Sequence, residues 1–253
     1  MSYLDDVFGL SGKVALVTGG SRGLGREMVL AFARAGADVL IASRKIETCD
    51  EVAEEVRRET GRRAETFAAH MGRWEQADAL ADYAYETFGR VDILVNNAGM
   101  SPLYDGVENV TEKLYDATLN LNLKGPFRLC ALVGSRMVRD GGGSIINVSS
   151  VSSIRPEPGT LPYGAAKAGL NSLTQGFARA LGPTVRVNAL LCGPFLTDVS
   201  KAWDMAASEA KAQNFASKRL GRPEEIIGAA LFLASDASSY TTGSLVHSDG
   251  GMP

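Results

Sequence analysis

The sequence predicts an α/β fold: a parallel sheet with helices on both faces. Three observations predict it. Short apolar runs alternate along the whole chain with helical patterns of ten or more residues. The apolar runs lack a regular polar alternation, as strands buried on both faces do. Glycines close most of the helical patterns, and a glycine-rich turn follows the first apolar run.

The elements follow in order. Lys13 to Thr18 (KVALVT) is a β-rich strand ending in glycines. Gly23 to Gly36 carries Leu24, Met28, Phe32 and Ala35 at helical spacing, and Gly36 closes it. Val39 to Ala42 is a second strand, and Glu47 to Thr60 a charged helix stopped by Gly61. A third strand spans Ala64 to Ala69. Glu75 to Phe88 is a helix ended by Gly89, and Val91 to Val95 is the fourth strand. One long helix is predicted over Thr111 to Val138, with the glycines 141 to 143 ending it. Ser144 to Val148 is a fifth strand. Tyr163 to Leu181 is a helix stopped by Gly182-Pro183, and Val185 to Leu190 is a sixth strand. Pro223 to Leu233 is a helix with proline at its first position. Ser244 to Val246 is a short last strand. Residues from Gly193 to about Ser217 read as irregular, and long loops in compact domains often serve as lids. No linker or repeat interrupts the rhythm, so residues 1–253 read as one domain.

Composition narrows the function. The 253 residues are 45% hydrophobic and 22% charged, enough for a sizeable core and too apolar for disorder. A net charge of −3 argues against a nucleic-acid binder. No apolar stretch approaches the roughly 20 residues of a membrane span. Met1 to Gly12 carries Asp5 and Asp6 and lacks the pattern of a signal peptide, so a cytoplasmic location is expected. Cys49, Cys130 and Cys192 are odd in number and far apart, which suits reduced, buried thiols. With only His70 and His247 as histidines, no metal site is expected.

Two constellations carry chemistry. Thr18-Gly19-Gly20-Ser21-Arg22-Gly23-Leu24-Gly25 lies between a strand and a helix, where backbone N–H groups can cradle a phosphate. Its spacing is G-x-x-x-G-x-G, and no Walker Lys-Ser/Thr follows. Dinucleotide folds place a carboxylate about 20 positions on for the ribose 2′-hydroxyl of NAD. Here the second strand ends in Ala42-Ser43-Arg44; Asp38 comes too early and Glu47 falls inside the next helix. Arg44 and Ser43, with Arg22 nearby, suit a 2′-phosphate, so NADP(H) is favoured over NAD(H). The second constellation is Ser150, then Tyr163 and Lys167 on one helix face at i, i+4. A phenol near pKa 10 is a poor base at neutral pH, and a neighbouring ammonium favours its phenolate.

Taken together, the Thr18–Gly25 turn, Asn96-Asn97-Ala98-Gly99 after the fourth strand, Asn122, Ser150, Tyr163 and Lys167 resemble the short-chain dehydrogenase/reductase family. The likeness runs from about Gly12 to Gly251 and includes the closing Ser248-Asp249-Gly250-Gly251. It implies a Rossmann-like, doubly wound sheet of seven parallel strands, a nicotinamide cofactor at its C-terminal edge, and a homotetramer. By resemblance, Gly19, Ser21, Arg22, Gly23, Leu24 and Gly25 form the pyrophosphate turn, and Ser43 and Arg44 the 2′-phosphate position. His70 and Met71 flank the adenine, and Asn97, Ala98 and Gly99 lie beside the adenosine ribose. Gly193, Pro194, Phe195 and Thr197 belong to the carboxamide segment. Tyr163 is implied as the general acid, Lys167 as the group that lowers its pKa and holds the ribose, and Ser150 as a donor to the substrate oxygen. Asn122 is implied to anchor a water that refills the proton.

Two positions depart from the family pattern. His70 replaces an aspartate that accepts from the adenine amino group; a neutral imidazole can also accept. Cys192 replaces a proline before Gly193, and an inert buried thiol is expected there. Ser101, Ile154 and Trp203 are candidate substrate contacts, with Pro102, Leu103, Tyr104, Phe195, Met205 and Phe215 nearby; Trp203 and Phe215 equally suit packing of the loop. The expected activity interconverts a carbonyl and a secondary alcohol. A 3-oxoacyl thioester is one candidate substrate, given Gly221-Arg222-Pro223-Glu224-Glu225, and Arg128, Arg136 and Arg139 are candidate cations for an acyl-carrier partner. Small cyclic or sugar-like alcohols are the alternative. A non-catalytic NADP-binding redox sensor is the rival from another class.

Overall fold

A computed structural model describes residues 3–198, 200 and 203–253. Seven parallel strands form one sheet: β1 (Val14–Thr18), β2 (Asp38–Ser43), β3 (Ala64–Ala68), β4 (Ile93–Asn96), β5 (Gly143–Ser150), β6 (Val185–Cys192) and β7 (Leu245–Ser248). Their order is β3-β2-β1-β4-β5-β6-β7. The chain winds outward from β1 to β3, then crosses back to place β4 on the other side of β1. That reversal opens a crevice beyond the C-terminal ends of β1 and β4, where ligands of such sheets bind.

Helices cover both faces: α1 (Tyr3–Phe8), α2 (Gly23–Arg34), α3 (Ile46–Thr60), α4 (Trp74–Phe88), α5 (Glu112–Leu119), α6 (Gly125–Arg139), α7 (Leu161–Leu181), α8 (Met205–Ala212) and α9 (Ile227–Ala234). Strand side chains alternate between two cores. Ala15 and Val17 pack with Met28, Phe32, Val52 and Leu233 under α2, α3 and α9. Leu16 packs with Leu80, Leu129, Val133 and Leu181 under α4, α6 and α7. This explains why β1 reads apolar at successive positions: every residue in it is buried.

Three expectations are refined. The long helix expected over Thr111–Val138 runs without a break from Glu112 to Arg139, with a π-helical turn, Asn120–Lys124, set between α5 and α6. The segment after β6 is not wholly irregular, because Asp204 caps α8 by accepting from Ala207 N at 3.1 Å. Two of the three candidate arginines on α6 are held within the chain. Arg128 pairs with Asp78 at 2.5 Å and Arg136 pairs with Asp82, stapling α6 to α4. No helix among the described residues is long and apolar enough to cross a membrane.

Candidate active site

The phosphate-type turn is built by sterics. Gly19 stands at φ +66°, a left-handed conformation that disfavours side chains. A Cβ on Gly25 would lie 2.2 Å from Gly19 O and 2.5 Å from Asn97 Nδ2, so only glycine lets α2 press onto the turn. The start of α2 has no side-chain cap, which leaves N–H groups for an anion. Thr18 joins this turn to the one after β4. Its hydroxyl donates to Val95 O at 3.1 Å and accepts from Asn97 N and Ala98 N at 3.0 and 3.2 Å. Asn97 Nδ2 returns bonds to Thr18 O and Gly19 O at 2.9 and 3.1 Å. Sequence reading placed Thr18 in the motif but missed this linking role, because its partners lie 77 or more residues away.

The ends of β1 and β2 meet through Ser21 Oγ, which donates to Ser43 Oγ at 3.1 Å. Arg22 and Arg44 are exposed, and neither pairs with a carboxylate among the described residues. Asp38, at the opposite end of β2, is engaged by Arg62 at 2.7 Å. Across the turn, a Cβ on Gly23 would reach 3.4 Å from Thr197, so the segment after β6 comes back over the same crevice. Gly193 N donates to Ser248 O at 3.0 Å, and Leu196 N to Gly221 O at 2.8 Å.

His70 does not keep both ring nitrogens available. Gly72 N donates to its Nδ1 at 3.1 Å. A backbone N–H is an obligate donor, so a neutral ring carries its proton on Nε2 and presents a donor there. With the proton on Nε2, the ring's acceptor nitrogen serves Gly72 N and not the adenine amino group for which it was expected. Met71 is buried beside the π turn, where a Cβ on Gly125 would stand 1.9 Å from Met71 O.

The second constellation converges beyond β5. Ser150 is the last residue of that strand, and Cys192 is its register partner on β6. Tyr163 and Lys167 lie on one face of α7, with the Lys167 ammonium 5.7 Å from the Tyr163 ring centroid. Lys167 is buried and donates to Val148 O at 2.7 Å. Burial pulls its ammonium down to about 8. Tyr163 is half-buried as a residue, yet desolvation of its hydroxyl pushes the phenol up to about 12, against a hydrogen bond from Ser150 that favours the phenolate. Ser150 is thus one group within the chain that draws this phenol down. Burial also raises the Cys192 thiol to about 12, so it stays protonated although Lys167 is near.

Asn122 occupies the π turn. From it, Asn122 Nδ2 donates to the Thr118 carbonyl at 2.9 Å. The same amide clamps Met100, donating to its O at 2.8 Å and accepting from its N at 3.3 Å. Gly99 separates Asn122 from Lys167: a Cβ there would lie 2.7 Å from Asn122 Oδ1 and 3.6 Å from Lys167 Nζ. Gly99→Ala is expected to push the Asn122 amide off its clamp and lower kcat about tenfold or more. Steady-state kinetics beside a cofactor titration checks this; an unchanged kcat sinks the idea that the gap matters.

The candidate substrate contacts divide. Ser101 and Trp203 are half-buried, and Ile154 is exposed. Phe215 is 2% exposed in a small cluster with Ala212, Leu220, Met205 and Met252, so it packs the loop onto the body. Tyr104 straps the site's far wall, its hydroxyl donating to Pro158 O at 2.7 Å and accepting from Leu161 N at 2.8 Å. A cavity of about 250 Å³ opens between the loop after β5 and α8, lined by Arg155, Pro156, Lys211 and Phe215 among others. No group of histidine, cysteine and carboxylate side chains suited to a metal occurs among the described residues.

Comparison with known proteins places this arrangement. A family model described as enoyl-(acyl carrier protein) reductase matches residues 19–253. The human dehydrogenase/reductase SDR family member 4 is 36% identical over 247 residues, 96% of this chain and 88% of that protein. A gluconate 5-dehydrogenase from Burkholderia cenocepacia, solved with NADP and tartrate, is 33% identical with a TM-score of 0.93, covering 99% of this chain and 98% of the other. A 7α-hydroxysteroid dehydrogenase, solved with NADH and a 7-oxo bile acid, is 31% identical with a TM-score of 0.93, covering 100% and 98%. Sheet order, glycine turn and whole-length similarity agree: the chain belongs to the short-chain dehydrogenase/reductase family and is an NAD(P)-dependent oxidoreductase.

Proposed function

We propose that this chain is an NADP-dependent enzyme that interconverts a carbonyl and a secondary alcohol, with residues 1–253 forming one catalytic domain. The observation that carries the reading is the convergence of Ser150, at the end of β5, with Tyr163 and the buried Lys167 on one face of α7, at the C-terminal edge of the sheet. The residues fit the cofactor. Gly19 and Gly25 leave a cradle that a Cβ would fill, the uncapped start of α2 offers N–H groups, and Arg22 and Arg44 are free to meet a 2′-phosphate. Ser21, Leu24, Ser43, His70, Met71, Asn97, Ala98 and the segment Gly193, Pro194, Phe195 and Thr197 would complete the site. When bound, the nicotinamide supplies or accepts the hydride.

The chain's own residues handle the proton and the geometry. Ser150 and Tyr163 bind the substrate oxygen, and Tyr163 gives it a proton during carbonyl reduction. Lys167 holds the cofactor ribose and, when charged, favours the phenolate left on Tyr163. Asn122 and the gap at Gly99 provide the place for a water between Lys167 and solvent. A homotetramer in the cytoplasm is part of the same reading. Between substrate classes, a 3-oxoacyl thioester and a small cyclic or sugar-like alcohol both suit the exposed apolar rim at Leu103, Ile154 and Leu196. A panel of carbonyls and alcohols, run with NADPH/NADP and NADH/NAD, tests the reading. Turnover of ketones with preference for NADPH is expected, whereas tight NADPH binding without turnover across the panel would revive the redox-sensor alternative.

Burying Lys167 has a stability cost that the same reading explains. Its folded value, about 8, lies below the ordinary 10.5. The folded chain therefore releases this proton first, and its contribution to stability rises with pH across that interval. Lys167→Met is expected to be inactive yet more stable than the parent at pH 7 by about 1–2 kcal/mol, the loss of its bond to Val148 O taking back part of the gain. That difference should shrink by pH 9. The difference between the two denaturation curves reports Lys167 together with the Cys192 thiol coupled to it; a variant less stable at pH 7 refutes the burial cost.

A further inference from the structure

One buried amide beyond Lys167 has no part in the roles assigned so far. Asn171 follows Tyr163 and Lys167 at the next i+4 position, on the same face of α7. It is 8% exposed. Its Nδ2 donates to Ser153 Oγ at 2.8 Å, and Ser153 Oγ donates to the Ser150 carbonyl at 2.5 Å. The direction of this relay follows from its chemistry. Ser153 has a single hydroxyl proton, and the Ser150 carbonyl can only accept, so the proton is committed there. Ser153 must then accept from Asn171, which only the amide NH2 can satisfy. Asn171 Oδ1 is left buried with no partner among the described residues. A buried orphan oxygen costs free energy, and the fold tolerates it in keeping the NH2 on Ser153.

The relay ends at Ser150, the residue that the proposed function sets beside the Tyr163 hydroxyl. Ser150 is extended, at φ −147° and ψ 152°, and its Oγ accepts from Ser152 N at 3.1 Å. With that lone pair committed, the Ser150 proton is free to point at the Tyr163 oxygen. The turn after β5 is thus tied to α7 one turn beyond Lys167, and this tie sets where the Ser150 hydroxyl stands relative to the phenol. We infer that Asn171 and Ser153 are positioning residues that act through Ser150, fixing the hydrogen bond that tunes the Tyr163 proton donor. The inference rests on the proposed role of Tyr163.

Asn171→Asp, Ser153→Ala and Ser153→Thr test it. Aspartate keeps the size of Asn171 but has no NH2 to donate; threonine keeps the hydroxyl that alanine removes. Two readouts are compared with the parent. One is the pH profile of kcat with the best carbonyl of the panel and NADPH. The other is the ultraviolet tyrosine titration without substrate, with Tyr163→Phe subtracted to isolate Tyr163. Asn171→Asp and Ser153→Ala are expected to lower kcat about tenfold and move the Tyr163 titration upward by half a unit or more. NADPH affinity should stay within about twofold, and Ser153→Thr should retain most of the parent's kcat and titration. The inference is overturned if Asn171→Asp and Ser153→Ala lower the melting temperature but leave kcat and the Tyr163 titration unchanged, or if Ser153→Thr is as impaired as Ser153→Ala. A Tyr163→Phe variant with parental turnover, or a panel with no turnover at all, sinks the underlying reading and the inference with it. Should Asn171→Asp fail to fold, the Ser153 pair alone decides.

Discussion

Tyr163→Phe is expected to lower kcat about a thousandfold while leaving NADPH affinity within about threefold. The change removes one oxygen and keeps the half-buried ring that fills the space beside Lys167. No side chain fills the position of the lost hydroxyl, and Ser150 is an aliphatic alcohol, a far weaker acid than a phenol. Lys167 is tied to Val148 O and stays beside the ring, so the ribose contact proposed for it is expected to survive. Steady-state kinetics with a verified carbonyl, beside a fluorescence titration of NADPH, separates proton transfer from binding. Turnover within tenfold of the parent would mean that Tyr163 is not the acid.

Arg44→Asp is expected to invert the cofactor preference, weakening NADPH about a hundredfold and strengthening NADH several-fold. A charge-assisted bond to phosphate contributes roughly 1.5–3 kcal/mol, which is about a tenfold to 150-fold effect. The substitution also brings a carboxylate to the position from which NAD-binding folds grip the 2′-hydroxyl. Ser43 supports the exchange, since its hydroxyl already faces Ser21 across the crevice at 3.1 Å. Screening at an exposed site limits the effect at high salt, so titrations at low and moderate ionic strength should converge as salt rises. An unchanged NADPH-to-NADH ratio would remove Arg44 from the cofactor assignment.

How far the sequence carried the fold can be judged from particular elements. β1 and α2 were legible because Val14 to Thr18 is wholly apolar or buried and the apolar spacing of Met28 and Phe32 is helical. Even the ends were close, since Gly61 and Gly89 stop α3 and α4 in the left-handed conformation that glycine favours. α1 was missed because it buries none of its residues and so leaves no periodic apolar stripe. The π turn was missed for a different reason. One extra residue in a hydrogen-bond ladder hardly disturbs a hydrophobic pattern, although Asn122 sits in that turn and donates to the Thr118 carbonyl. α8 was hidden because its alanine-rich residues form no buried stripe, only Ala212 being buried.

The candidate site divides along the same line. Residue type and order were enough to single out the glycine turn, Ser150, Tyr163, Lys167 and Asn122, because each chemistry needs its own side chain near a strand end or on one helix face. Distances and protonation states were not readable. The phenol's high value comes from its burial in the folded chain, and the His70 proton is placed by the backbone of Gly72.

By itself, then, the sequence determined the succession of strands and helices, the position of the phosphate-type turn, and the absence of a carboxylate at the end of β2. These are local properties, encoded in apolar spacing, glycine placement and residue type within a few positions. Only the tertiary structure decided that Thr18 and Asn97 join two turns, that Gly99 keeps a gap between Asn122 and Lys167, and that Asn171 reaches Ser150 through Ser153. Those contacts join residues that are distant in the chain, and the packing of α2, α7 and the π turn against the sheet brings their hydrogen-bonding groups within reach.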